Sequence, residues 1–294
     1  NSVNATRKLA TYIYDDLYRL GSANITNTDP FSGNYSETYT YSPIGNILTK
    51  SCTQYTYSGS GYVNPHAPTS IGTNNLTYDN NGNLLSDGTL TKTYNYNNTL
   101  ATSTKSGTTY SYLYNHNQSR ILEYKNSTLQ KITPNKLYTK NPVDNTNTSN
   151  IYLYDTLIAT INSNTGTNYI LTNHLNSTDK VLDSNGDVSN ITDYYSFGTE
   201  RLNTNNNTGR KYIGEVYDSN TGLNYLNARY YNPNQGQFLS QDPVFWEVGL
   251  TQDGNQALLN PQLQNSYSYA GNNPITQKDP SGRFAFLAAP LVPE

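Results

Sequence analysis

The chain has 294 residues, only 13% of them charged, with a formal net charge of −3, so it lacks the basic stripe that a nucleic-acid partner requires. Its apolar runs all fall short of the roughly 18 to 20 residues that span a membrane, and the single Cys52 excludes an internal disulfide or a cysteine metal cluster. Hydrophobic residues make up 34% and mean hydropathy is −0.74, yet 29 tyrosines argue against disorder, which is depleted in aromatics.

These numbers point to an ordered sheet stabilised by aromatic ladders, with much of each face wet. The length fits one large all-β domain or two ordinary ones. With Asn1 first and no Met, the chain reads as an excised or processed piece whose targeting segment is not there to be read. Asn-X-Ser/Thr sequons at Asn24, Asn75 and Asn176 are what chance supplies in a chain so rich in these residues.

In chain order, tyrosines recur two apart at Tyr12/Tyr14, Tyr39/Tyr41, Tyr55/Tyr57, Tyr94/Tyr96, Tyr110/Tyr112/Tyr114, Tyr152/Tyr154 and Tyr267/Tyr269. That spacing predicts each pair on one face of a strand. Turn signals alternate with them. Ser42-Pro43-Ile44-Gly45 places Pro at the second turn position, and Asn81-Gly82 and Asn185-Gly186 can take the positive φ angles of tight hairpins. A repeated strand-turn-strand unit follows. Helix signals are nearly absent; Glu247 to Leu259 is the one stretch that could hold a short helix. Near the end, Tyr217 to Gly222 and Asn232 to Gly236 read as loops, which predicts strands at Leu223 to Tyr230 and Gln237 to Gln241. Arg283 to Glu294 is apolar, without Asn or Tyr, and too short to fold alone.

Several residues stand out for chemistry. His66, His116 and His174 lack metal-ligand spacing, and His66 and His174 fit repeat positions. Phe245 and Trp246 read as packing or plug residues. Asp242-Pro243, Asp279-Pro280 and Asp253-Gly254 each read as turn openers, because the carboxylate can accept from an amide two residues on. Arg229 reads as a clamp between strands.

A resemblance adds to this. Gly214, Asp218, Thr221-Gly222-Leu223, Ala228-Arg229-Tyr230-Tyr231, Pro233, Gly236, Phe238 and Asp242-Pro243 fall in the order and spacing of the Rhs repeat-associated core domain. The stretches from Tyr12 to Leu20 and from Tyr78 to Leu84 resemble YD repeats. Pro65-His66-Ala67, Thr69-Ser70-Ile71-Gly72, His174-Leu175 and the stretch from Asp193 to Gly198 resemble further landmarks. From about Tyr12 to Gly282 the chain is thus similar to the Rhs and YD-repeat proteins, which include the C subunits of insecticidal Tc toxins and the teneurins.

The resemblance implies an all-β fold with little helix, in which hairpins wind into a spiral forming part or all of a hollow shell. Residues 1–206 would be shell and 207–282 the core domain, with 283–294 an apolar tail inside the shell, leading toward a variable or toxin region. The implied function is to enclose and carry a C-terminal toxin in cis, in a bacterial protein that is secreted or at the cell surface. Secretion or delivery machinery would be a partner; no cofactor or metal is expected. The alternative is a non-enzymatic cell-surface protein for adhesion or glycan binding.

The resemblance also implies at most a single-turnover aspartyl autoprotease. Asp242 and Asp279 would be the catalytic pair, sharing one proton so that one activates water while the other protonates the departing amine. Arg229 would position them, and Gly282-Arg283 would be the scissile bond. Asp253 is a reserve second carboxylate. Many cleaving relatives carry Gly three residues after the first Asp and Leu after the second motif, where this chain has Phe245 and Arg283.

Overall fold

The computed structural model describes residues 8–27, 33–58, 64–205, 209–283 and 285–287. Its repeating element is a five-residue turn, found at residues 15–19, 42–46, 79–83, 95–99, 115–119, 173–177, 183–187 and 195–199. In each, the first amide donates to the fifth carbonyl and the fourth amide to the first carbonyl. The fourth residue has positive φ in every case, which favours Gly and, next to it, Asn. The preference for Asp or Asn at the first position has a direct cause. Asp79 Oδ1 accepts from the amides of Asn81 and Asn83 at 2.9 and 2.8 Å, and Asp15, Asn115, Asn173 and Asp183 repeat the pattern. In the Asn81-Gly82 turn, only Gly82 has positive φ, so it is a longer bulged turn rather than the two-residue hairpin expected.

A tyrosine just before a turn ties one repeat to the previous one. The hydroxyls of Tyr41, Tyr94 and Tyr114 donate to the carbonyls of Leu20, Leu84 and Leu100 at 2.8, 3.1 and 2.7 Å. Each of those leucines directly follows an earlier turn and is fully buried. The Tyr spacing therefore has a packing and a hydrogen-bonding cause together. It fails at Tyr96 and Tyr154, which stand on turns and are 97% and 92% exposed, and Tyr267 and Tyr269 lie outside the strands.

Strands pair with their sequence neighbours throughout, all antiparallel. A 7-stranded sheet runs from Lys8–Tyr14 to Asn74–Asn75, and a 14-stranded sheet from Thr77–Tyr78 to Glu200–Asn203. The two ends of this wall meet through side chains. Lys8 pairs with Asp193 at 2.6 Å, Glu37 accepts from the Ser196 amide at 3.0 Å, and Tyr39 packs on Phe197 at 5.1 Å between centroids. Among the described residues no helix is long and apolar enough to cross a membrane.

The C-terminal part, from residue 209 on, seals the wall by bonding the turns. Asn273 Nδ2 donates to the Tyr18 carbonyl, Asn265 and Asn272 to that of Gly45, and the Tyr267 hydroxyl to that of Gly82, at 2.6 to 2.9 Å. Arg120 reaches the other way, with its guanidinium on Asp218 at 2.5 and 3.0 Å and stacked near Tyr112 and Tyr225. Here the wet-sheet expectation is corrected in part: it holds for the middle strands, Thr128–Asn135 to Thr146–Leu153, which have no buried position, but not where the C-terminal part packs. Tyr231 and Tyr269 stack at 4.3 Å with no exposure, and Tyr112 and Tyr267 are equally sunk. Twenty-odd strands give too little aliphatic surface, so the rings themselves become the dry core, while Ile151 and Leu153 on the middle strands remain exposed.

Local differences are of the same kind. The predicted strand from Leu223 to Tyr230 is two strands, Leu223–Leu226 and Arg229–Asn232, because Asn227 takes φ 58° and reverses the chain. Gln237–Phe238 is shorter than expected. The stretch from Glu247 to Leu259 holds the one α-helix of the described residues, Gln252–Leu259, capped by Thr251, and a 3-10 turn not expected from the sequence, Pro243–Glu247, leads into it.

Gly82 offers a test of this hub. A Cβ there would sit 2.5 Å from Gln241 Nε2 and 2.6 Å from the Tyr267 hydroxyl, at φ 80°. Gly82→Ala is expected to cost about 1–3 kcal/mol, read as a lower urea midpoint; an unchanged midpoint would show that the turn does not seat the C-terminal part.

Candidate functional site

The Asn227-Ala228 reversal turns Arg229 into the protein, where its side chain is 2% exposed. The Phe238 ring lies under the guanidinium at 3.5 Å. Each nitrogen has a partner: Nη1 donates to the Ser266 carbonyl at 2.9 Å, and Nε to the Gly282 carbonyl at 2.5 Å. Nη2 is shared, 2.7 Å from Asp242 Oδ2 and 3.4 Å from Asp279 Oδ2. One buried cation thus compensates two carboxylates, which a lone buried charge could not survive without.

Asp242 also does what Asp-Pro does in turns, whereas Asp279 reaches the hydroxyl two residues on and the amide four residues on. Asp242 Oδ1 accepts from the Val244 amide at 3.0 Å and caps the 3-10 turn. Asp279 Oδ1 accepts from the Ser281 hydroxyl at 3.0 Å and from the Arg283 amide at 3.1 Å. Burial pushes the Asp242 carboxyl up to about 6, against the pull of Arg229, and the Asp279 charge adds to the rise.

The chain segment after Asp279 is laid along the hairpin turn. Ala228 donates its amide to the Ser281 carbonyl at 3.0 Å, and Asn227 Nδ2 donates to the Pro280 carbonyl at 2.8 Å. Gly282 has φ 67°, and a Cβ there would meet the Leu226 carbonyl oxygen at 2.3 Å and the Arg229 nitrogen at 2.9 Å. No larger residue fits without moving the backbone. The Gly282-Arg283 peptide is consequently gripped at both ends, its oxygen by Arg229 and its nitrogen by Asp279. A small cleft, lined in part by Arg229, Asp242, Phe245, Asp279 and Arg283, opens beside it.

The structure brings Arg229, Asp242, Asp279, Gly282 and Arg283 into one site. Asp253 is elsewhere, exposed in the first turn of the helix rather than in a loop. Phe245 lines the cleft, whereas Trp246 is 61% exposed and packs less than expected. His66 Nδ1 bonds Asn46 at 2.8 Å and His174 Nε2 bonds the Ile275 carbonyl at 2.8 Å, both as repeat residues, and His116 is exposed on a turn. No group of His, Cys, Asp and Glu among the described residues could hold a metal. The tail from Arg283 to Glu294 lies mostly outside the described residues. Sequence reasoning gives no site role to Ser266, to Phe238, which stands only in the core signature, or to Glu247, whose two oxygens hold the Arg283 guanidinium at 2.6 Å.

Two carboxylates on one guanidinium, a cation on a peptide oxygen and an acceptor on the following nitrogen are groups that peptide hydrolysis can use. The same contacts can also simply lock the end of the domain.

Comparison with known proteins bears on this. Residues 1–275 match the model of the Teneurin YD-shell family. The chain is 43% identical over 77 residues to the tRNA nuclease WapA of Bacillus subtilis, covering 26% of this chain and 3% of that protein. It is 30% identical over 187 residues to Salivary gland surface protein 1 of Aedes aegypti, covering 62% of this chain and 5% of that one. The chain therefore spans a small fraction of the curated relatives it matches. Among solved structures, TcdB2-TccC3 superposes with a TM-score of 0.69 at 21% identity, over 93% of this chain and 16% of that chain. The Photorhabdus luminescens Tc holotoxin pore does so with a TM-score of 0.63 at 20% identity, over 96% and 15%.

Proposed function

Because the chain belongs to the teneurin YD-shell family, we propose that it is wall and seal of a bacterial shell that encloses a C-terminal effector and frees it by one cut between Gly282 and Arg283. The observation that carries this reading is the grip on that peptide, with its oxygen on Arg229 and its nitrogen on Asp279, beside the second carboxylate of Asp242. Resemblance in fold to part of a toxin complex and in sequence to part of a tRNA nuclease supports a carrier joined to an effector. The effector is its partner in cis, and delivery machinery its partner in trans, at the cell surface or outside.

The chemistry follows from the contacts. Water attacks the Gly282 carbonyl carbon, Asp279 takes the water's proton, and the oxygen's developing charge falls on Arg229 Nε. The carbon–nitrogen bond breaks as Asp279 passes that proton to the Arg283 nitrogen it already faces. Gly282 gains a carboxyl group, Arg283 an amine, and one water is consumed. Asp242, protonated, leaves the pair with a single negative charge before the attack and again once the proton has passed to the nitrogen, the charge residing on the oxyanion in between. In this scheme both proton transfers fall to Asp279, rather than one to each aspartate.

The test is a fusion with a folded reporter after Glu294, followed on a gel and by intact mass. A fragment beginning at Arg283 is expected. Its formation should be fastest in acid and decline as pH rises through about 6, because the proton on Asp242 is lost there. A rate that climbs across the same interval would reverse the roles of the two aspartates.

A purely structural surface role is the second reading, favoured by the similarity to Salivary gland surface protein 1. It predicts an intact fusion at every pH.

A further inference from the structure

We infer that Glu247 is the specificity-determining residue for the position after the cut, selecting a basic side chain at 283 and through it aligning the Gly282-Arg283 peptide. This rests on the cleavage reading above and deepens it. Glu247 ends the 3-10 turn that Asp242 opens. One five-residue element following Asp242 therefore fixes the distance between a carboxylate of the pair and the carboxylate that receives Arg283.

Glu247 is itself held firmly. The amides of Leu250 and Thr251 donate to its carbonyl at 2.9 and 3.0 Å, and the Thr251 hydroxyl donates to Oε2 at 3.1 Å. Gly254 packs so closely that a Cβ would come within 2.3 Å of the Glu247 carbonyl oxygen. Arg283 meets this fixed carboxylate with its guanidinium, while its amide nitrogen stays on Asp279 and on Ser281 Oγ at 3.1 and 3.2 Å. Adding Arg229 on the Gly282 oxygen, the peptide is held at its oxygen, at its nitrogen and by the side chain that follows. Three points set the rotation of the peptide plane, which two leave free.

The pair is too open to matter mainly for stability. Its side chains are 36% and 26% exposed, so water screens the attraction. What it supplies is orientation, and misplacement of a reacting group is costly to rate. A neutral side chain at 283 would give Glu247 nothing to hold.

The experiment uses the reporter fusion with Glu247→Gln, Glu247→Arg, Arg283→Glu and the combined swap of the last two. Each single change should slow release by about 10- to 100-fold with little change in urea midpoint, and the swap should restore most of the rate. In an Asp279→Asn background, trypsin should spare the bond after Arg283 and cut it once Glu247→Gln is added. Release by Glu247→Gln at the parent rate, or no rescue by the swap, overturns the inference while leaving cleavage itself standing. If the parent fusion is never cut, the cleavage reading fails and the specificity assignment falls with it. In that case, trypsin protection that still depends on Glu247 marks a structural latch only.

Discussion

Asp279→Asn is expected to slow release of the reporter at Gly282-Arg283 by about 100- to 10,000-fold, the usual worth of a positioned acid–base group. The substitution is nearly isosteric. Its amide oxygen can still accept from the Arg283 nitrogen and the Ser281 hydroxyl, which the carboxylate now does at 3.1 and 3.0 Å. It cannot take a proton from water or pass one on. Its NH2 group would also face Arg229 Nη2, donor to donor, so a modest loss of stability should accompany the loss of activity. Intact mass of both fragments, measured beside a urea titration, separates the two effects. Asp242→Asn is the informative companion: it removes a proton store rather than the base, so the decline of rate near pH 6 should vanish. Cleavage by the Asp279 variant at the parent rate would exclude the mechanism.

Arg229→Ala carries the largest expected effect on the fold. It strips the cation from two carboxylates whose side chains are 16% and 3% exposed, and leaves the Ser266 and Gly282 carbonyls without their donors. Removing one partner of such a buried network costs about 3–5 kcal/mol, which should appear as a lower urea midpoint together with complete loss of release. Lys is no substitute, because a single ammonium cannot span three separate directions as the planar guanidinium does. Adding Asp242→Asn and Asp279→Asn to Arg229→Ala should recover part of the stability, since neutral amides no longer need the cation. Failure to recover any would mean that packing on Phe238 and the carbonyl contacts, rather than charge, hold this region.

These expectations rest on a contrast between local and distant information. The turns were legible in the chain because their causes are local. In five of the eight turns Asp or Asn accepts from amides two and four residues on, a residue with positive φ comes fourth in all, and Tyr precedes six of them. Such a unit is written in six consecutive letters, and repeating it gives a meandering antiparallel wall without further instruction. The Asp-Pro pairs and Arg229 could be singled out by their resemblance to a known signature, but composition offered only turn openers and a clamp.

Tertiary structure decided what lies between them. Low hydropathy suggested a wet sheet, yet Tyr231, Tyr269 and Tyr267 are dry, because they belong to the C-terminal part that docks on the wall and bonds the turn carbonyls of Tyr18, Gly45 and Gly82. Burial depends on what lands on a face, and sequence separation carries no record of that. The strand break at Asn227 and the service of Glu247 to Arg283 were hidden for the same reason. By itself the sequence determined the repeat, its turns and the all-β wall, through contacts a few residues long. Only the folded chain decided which tyrosines are core, and that Arg229, Asp242, Asp279 and the Gly282-Arg283 peptide share one buried centre, through contacts that span 13 to 53 residues.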